Sequence, residues 1–181
     1  MAFKWWLFIT ILLFGTGLVL GLTTPGGIGF VSEQITALEK FANLLSPLPR
    51  LSIFVFIFIK NASAVLVSFI LSPIFCLVPV LALISNGWLI GLITDRVIQE
   101  KSLGYLLAGL LPHGIFELPA LIIGEAVALS FGTAVLLALV KGRKGEILTN
   151  LRKNLKYLVL SLVLFLPAAI IEAYLTPLLL R

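Results

Sequence analysis

The chain has 181 residues, of which 60% are hydrophobic and only 12% are charged. Soluble domains are usually about half apolar and about a quarter charged, so this composition excludes a water-soluble globular enzyme, a disordered protein and a nucleic-acid-binding protein. The formal net charge of +5 points to contact with anionic lipid. The single cysteine, Cys76, lies in an apolar run, which excludes a disulfide framework and a cysteine metal site. The sequence therefore predicts an integral membrane protein.

Five apolar segments are long enough to cross the hydrocarbon core, which takes roughly 20 residues in a helix. We expect these spans at about residues 5–22, 51–72, 74–94, 103–140 and 157–178. The apolar run over 51–94 also admits another division, in which 51–60 is an interfacial piece and a span starts at Asn61. The two divisions give the same number of crossings, and they differ on whether Lys60 lies in the membrane.

The fourth apolar segment, residues 103–140, is too long for one span, and Pro112-His113-Gly114 and Pro119 interrupt it. Proline lacks an amide hydrogen and clashes with the preceding turn, so we expect a half-helix over 103–111 that leads into a full span. The sequence thus predicts an all-α, polytopic helical bundle, with a broken or re-entrant helix near residues 103–119. The whole chain, 1–181, forms one membrane domain in this interpretation.

The long polar connection after the first span contains a predicted amphipathic helix at about residues 32–46. Ile35, Leu38 and Phe41 recur at helical spacing, and Ser32 is a suitable cap. Such a helix either lies in the membrane interface or packs on the spans as a lid.

The connection between the last two spans, residues 141–156, carries six basic residues and one acidic residue. The positive-inside rule predicts that this loop is cytoplasmic. Counting back over five crossings places the N-terminus in the cytoplasm as well. The sequence therefore predicts that the chain is located in the cell membrane and crosses it several times.

Four ionisable residues lie within the predicted spans: His113, Glu117, Glu125 and Glu172. A charged group at the bilayer centre costs about 2.5–3.5 kcal/mol on insertion scales, so such residues indicate a functional site by default. Glu117 follows His113 by four residues, which puts both on one face of an unbroken helix. Glu125 lies about 80° further around the helix at 3.6 residues per turn, so it joins them only if the helix kinks at Pro119.

The predicted buried polar cluster consists of His113, Glu117, Glu172 and Asn86, with Glu125 and Lys60 as further candidates. Three interpretations of the cluster stay open: a structural pair that satisfies freed backbone groups, a path for an ion, proton or solute, and a catalytic metal site. One histidine with carboxylates can hold zinc, although zinc usually takes more nitrogen or sulfur ligands. The sequence leaves the identity of any metal or cofactor open, and no common hydrolase motif is present.

Small residues spaced four apart occur in three of the predicted spans. These are Gly17 with Gly21, Gly87 with Gly91, and Gly124 with Ala128 and Gly132. In lipid this spacing lets helix backbones approach closely. It predicts tight packing within one chain or between two chains.

The run from Leu111 to Ala120 resembles the signature of the stage II sporulation protein M family, which is Pro-His-Gly, two residues, Glu and then Pro. Asn86-Gly87 with Gly91 resembles the family's Asn-Gly element. Glu172-Ala173, followed by Thr176-Pro177, resembles its closing element. The three matches occur in family order. Glu125 departs from the pattern, because the resemblance leads us to expect a small apolar residue there.

The resemblance implies an all-helical integral membrane protein, and in spore-forming bacteria the namesake acts as a membrane scaffold with cell-wall-degrading partners. Our first hypothesis for the function is therefore a membrane scaffold or assembly factor. The second is a small ion or solute transporter or channel, and the third is an intramembrane metal-dependent hydrolase. The expected partners are the lipid bilayer and other membrane proteins or a second copy of the chain, with no nucleic acid.

Overall fold

The computed structural model describes residues 2–24, 33, 36, 40, 47–142 and 145–180. Its helices are α1 (Phe3–Thr23), α2 (Arg50–Leu71), α3 (Leu77–Glu100), α4 (Leu103–Val140) and α5 (Gly145–Ile170), followed by a π-helical turn (Ile171–Leu175) and α6 (Thr176–Leu179). The described part of the chain contains no strand, so the predicted all-α class is confirmed. The amphipathic helix predicted at 32–46 lies, apart from three isolated residues, outside the described residues.

Five helical stretches of the described residues are long and apolar enough to cross a membrane, as predicted. The fifth runs from α5 through the π-helical turn into α6. Large apolar side chains point outward along all of them, which is the arrangement that lipid favours. The chain is therefore a multi-pass membrane protein.

The basic segment at 141–156, which the sequence predicts to be a loop, is largely helical. Helix α5 already begins at Gly145, so most of this segment forms its first turns. Good helix formers such as leucine and lysine dominate residues 145–156. Arg152, Lys153 and Lys156 consequently project from a helix.

Helices α4 and α5 form the centre of the bundle and pack along each other. Their buried side chains, Val127, Leu158 and Phe165, meet Val65 of α2 in the core. Helix α1 packs mainly on α3, and α2 and α3 contact each other little although both pack on α4. This leaves a gap between α2 and α3 with α4 behind it.

A glycine seam joins α1 to α3. A Cβ atom at Gly17 or Gly21 would collide with the backbone of α3, and one at Gly87 or Gly91 would collide with the backbone of α1. The structure therefore places Gly17, Gly21, Gly87 and Gly91, four of the predicted packing glycines, at one contact within the chain. Because no side chain separates the backbones, Cα–H groups of one helix face carbonyl oxygens of the other.

Helix α4 is continuous from Leu103 to Val140, so the predicted break into a half-helix at 103–111 is wrong. Pro112 and Pro119 lie inside the helix. A proline removes one backbone hydrogen bond, whereas ending the helix would leave several more polar groups bare in hydrocarbon. Continuing the helix is therefore cheaper, and its 38 residues extend about 57 Å, well beyond the hydrocarbon core.

The irregular backbone of the bundle lies instead at the π-helical turn, Ile171–Leu175. The Thr176 hydroxyl donates to the Ile171 carbonyl at 3.4 Å, five residues back, which suits the wider turn. Pro177 follows and has no amide hydrogen to offer to the preceding turn. Such π turns occur frequently at functional sites, and this one carries Glu172.

We predict that Gly91→Leu lowers the free energy of unfolding in detergent. Overpacking a protein interior typically costs about 1–3 kcal/mol, occasionally more, and here the new side chain meets backbone that cannot rotate away. Thermal or denaturant unfolding of the purified protein measures the effect. Gly15→Leu is the matched control on α1, because a Cβ at Gly15 meets nothing within 4 Å. Equal stability of both variants would contradict the seam.

Candidate functional site

Polar side chains from four elements line a cavity of about 160 Å³ in the gap between α2 and α3. We call this cavity and its polar lining the lateral cleft. The polar residues that line it are Lys60 of α2, Asn86 of α3, His113 and Glu117 of α4, and Glu172 of the π-helical turn. Five of the six residues that the sequence predicted as members or candidate members of one cluster thus line one cavity.

His113 and Glu117 are one helical turn apart on the continuous helix α4. The imidazole Nε2 lies 3.9 Å from Glu117 Oε2, which is beyond hydrogen-bond distance. Asn61 of α2 donates from Nδ2 to Glu117 Oε1 at 3.1 Å. Glu117 is therefore oriented by the neighbouring helix, while its second oxygen faces the histidine.

Glu172 reaches the same place from the π-helical turn. One ligand-capable atom each of His113, Glu117 and Glu172 lies within 4.8 Å of the other two. All three side chains are half-buried. An imidazole nitrogen and two carboxylate oxygens thus converge on a small volume at the base of the cleft.

The cluster is not fully paired in the described part of the chain. His113 Nδ1 is buried and has no hydrogen-bond partner there. Buried polar atoms are normally paired, so an unpaired one in a native site requires an explanation such as a bound ion or water. A role limited to satisfying neighbouring groups does not account for this nitrogen.

Lys60 and Asn86 lie at the rim of the cleft, on opposite sides. Both are exposed in the described structure. Lys60 also borders the apolar outer surface of α2 beside Ile59. Asn86 donates from Nδ2 to the carbonyl of Ala82 on its own helix at 2.7 Å. Lys60 is ten residues from the start of α2, about 15 Å along the axis, so it lies at mid-depth.

Glu125 does not join this cluster. It is 1% exposed and accepts a short hydrogen bond from the hydroxyl of Ser68 on α2. Because α4 runs through Pro119 as a continuous helix, Glu125 keeps the different angular position that regular helical geometry assigns to it. It forms a separate polar contact two helical turns further along α4. Its carboxyl is paired with Ser68, a residue that the sequence analysis does not single out.

Asn61 is the functional candidate that sequence reasoning missed. The sequence analysis predicts for it at most the start of a span, yet Asn61 lies in mid-helix and orients Glu117. Its position in an apolar run, next to Lys60, is the signal that could have identified it. Amides in a membrane helix usually bond across to a neighbouring helix.

Comparison with known proteins places the chain within a known group. A family model described as "Stage II sporulation protein M" matches residues 7–177. An uncharacterized protein of Methanocaldococcus jannaschii is 27% identical over 173 residues, which cover 93% of this chain and 92% of that protein. A second uncharacterized protein of the same organism is 39% identical over 69 residues, covering 36% of this chain and 32% of that protein. No solved structure matches the chain significantly.

We predict that Ser68→Val destabilises the protein by about 1–3 kcal/mol, because it leaves the buried carboxyl of Glu125 without a partner. Unfolding of the purified protein in detergent measures the change. Ser63→Val is the control on the same helix, since the Ser63 hydroxyl bonds only the carbonyl of Lys60 and is exposed. If both valine variants are equally stable, Ser68 does not support Glu125.

Proposed function

The chain belongs to the stage II sporulation protein M family, and we propose that it is a membrane scaffold that binds other membrane proteins at the lateral cleft. The observation that carries this proposal is the exposure of Lys60 and Asn86 at mid-depth of their helices. Both side chains face the surroundings of the bundle, where a bilayer offers them no hydrogen-bond partner.

The energetic reason is the cost of an uncovered charge. A lysine at the centre of a membrane helix costs about 2.5–3.5 kcal/mol on insertion scales, and no carboxylate in the described part of the chain forms an ion pair with Lys60. Ser63 on the same helix and Ser85 beside Asn86 are also exposed. A partner helix seated across the cleft would cover this polar surface and give its groups partners.

The same surface defines the chemistry of the partner. A membrane-spanning helix with a carboxylate or amide at mid-depth can accept from Lys60 and pair with the free side of Asn86. Its remaining side chains must be apolar, because α2 and α3 flank the cleft with large apolar residues such as Ile59 and Leu89. Small residues in that helix would allow a close approach.

The test is site-specific photocrosslinking in native membranes. We expect a photoreactive residue at position 86 or 63 to give a discrete adduct with a protein, because Asn86 lines the cleft and Ser63 is exposed within one helical turn of Lys60. Position 81 on α3 and position 70 on α2 are the matched controls, since Leu81 is 55% exposed, Ile70 is 66% exposed and neither lines the cleft. These controls should react with lipid.

Lys60→Met distinguishes polar recognition from simple proximity. It keeps an unbranched side chain and removes the charge, so the adduct at position 86 should be lost. Equal protein adducts at positions 86, 63, 81 and 70, or an adduct unaffected by Lys60→Met, would contradict docking at the cleft.

We further propose that the N-terminus and the segment 141–156 face the cytoplasm. The positive-inside rule supports this orientation, and Arg152, Lys153 and Lys156 are exposed on the first part of α5. The termini of α2 and α3 at the far side, Arg50 and Glu100, would then lie outside.

Cysteine labelling of intact cells tests this orientation. With Cys76 replaced by serine, a cysteine introduced at Gly145 should react with a membrane-impermeant reagent only after the cells are opened. A cysteine at Lys101, in the turn between α3 and α4, should react in intact cells. The reverse pattern would overturn the proposed orientation and leave the cleft unaffected.

A further inference from the structure

The base of the lateral cleft has the donor set of a metal site. His113 offers an imidazole nitrogen, and Glu117 and Glu172 each offer a carboxylate oxygen, all within 4.8 Å of one another. In a tetrahedral site with bonds of about 2.0–2.1 Å, ligand atoms lie about 3.4 Å apart. The Nε2–Oε2 distance of 3.9 Å between His113 and Glu117 is already near that spacing.

We propose that His113, Glu117 and Glu172 bind one divalent transition-metal ion within the membrane. Three protein ligands leave at least one coordination position open, and the cavity of about 160 Å³ beside them has room for water or another ligand there. The site is therefore of the open kind, in which an ion exchanges ligands, rather than a closed structural site.

The His113 ring also supports this assignment. Its Nε2 makes no hydrogen bond to Glu117 at 3.9 Å, and its Nδ1 has no partner in the described residues. A neutral imidazole has one lone pair and one N–H group. The ring can therefore present the lone pair of Nε2 to an ion between the carboxylates, and Nδ1 then carries the proton.

The charges in the cleft also favour a cation. Two carboxylates and one lysine line the cavity, so one negative charge is left over when these three groups are ionised. The Lys60 ammonium forms no ion pair within 4.0 Å in the described structure. A divalent ion between the two carboxylates would reduce the repulsion between their negative charges. Lys60 at the rim of the cleft is less suited to this, because it does not lie between them.

The ligand set selects the class of metal. Imidazole suits zinc, iron and related ions, whereas magnesium and calcium prefer oxygen alone. One nitrogen with two carboxylates therefore favours ions such as Mn²⁺ or Zn²⁺ over the alkaline earths. Asn61 is the orienting residue, because its amide holds Glu117 from the side away from the histidine. Partners of this kind typically change metal affinity by about 10–100-fold when removed.

The test is equilibrium dialysis of the full-length, metal-stripped protein in detergent against Mn²⁺ and Zn²⁺, followed by elemental analysis. We expect one ion per chain. His113→Gln, Glu117→Gln and Glu172→Gln should each weaken binding at least about tenfold, and Asn61→Leu by about 10–100-fold. Mg²⁺ or Ca²⁺ at a concentration equal to that of the bound metal should not displace the ion.

Glu125→Gln is the matched control. Glu125 is a buried glutamate on the same helix, satisfied by Ser68 and remote from the cleft, so this variant should bind one ion with unchanged affinity. Size-exclusion profiles and unfolding temperatures identify any variant that fails to fold. For that case, X-ray absorption of the metal-loaded natural protein decides the ligands, because it counts imidazoles in the coordination shell.

Four outcomes would overturn the proposal: no stoichiometric binding by the folded natural protein, equal binding by all folded variants, an absorption spectrum without imidazole, or displacement by Mg²⁺ at equal concentration. Crosslinking at position 86 is a separate measurement that does not require a bound ion, so the metal site and the scaffold function can be contradicted separately.

Discussion

The structure depends on one constraint, which is that backbone polar groups in hydrocarbon must find their hydrogen bonds inside the protein. This constraint keeps α4 helical through Pro112 and Pro119. It also makes close backbone contact useful, because helices in lipid gain little from burying apolar side chains and associate through packing. The glycine seam between α1 and α3 is the result.

The same constraint positions the cleft. An unbroken α4 holds His113 and Glu117 one turn apart on one face, and it turns Glu125 away toward Ser68. The chain deviates from regular helix at the π-helical turn, where Glu172 faces the cleft. An irregular turn at membrane depth is tolerated when it is covered by protein or lines a cavity, so the deviation and the cavity occur together.

The elements that composition alone determines could be predicted from the sequence: the five apolar helices and the all-α class. The shared face of His113 and Glu117 was also predictable, because it follows from their spacing. The continuity of α4 could not be predicted in this way. Local rules for proline consider the one backbone hydrogen bond that proline removes, but not the cost of exposing further backbone groups to the bilayer. Asn61 and Ser68 were missed for a similar reason, since each acts through a partner on another helix.

The two proposals for the cleft are linked by physical chemistry. A partner helix that covers Lys60 and Asn86 would also exclude water from the cavity behind them. Electrostatic attraction strengthens as the effective dielectric falls, so a cation held by Glu117 and Glu172 would be bound more tightly in the covered cleft. By linkage, the ion would then strengthen partner binding by the same factor. A polar cluster that is incompletely paired in the isolated chain is suited to such a role, because ion and partner each complete part of it.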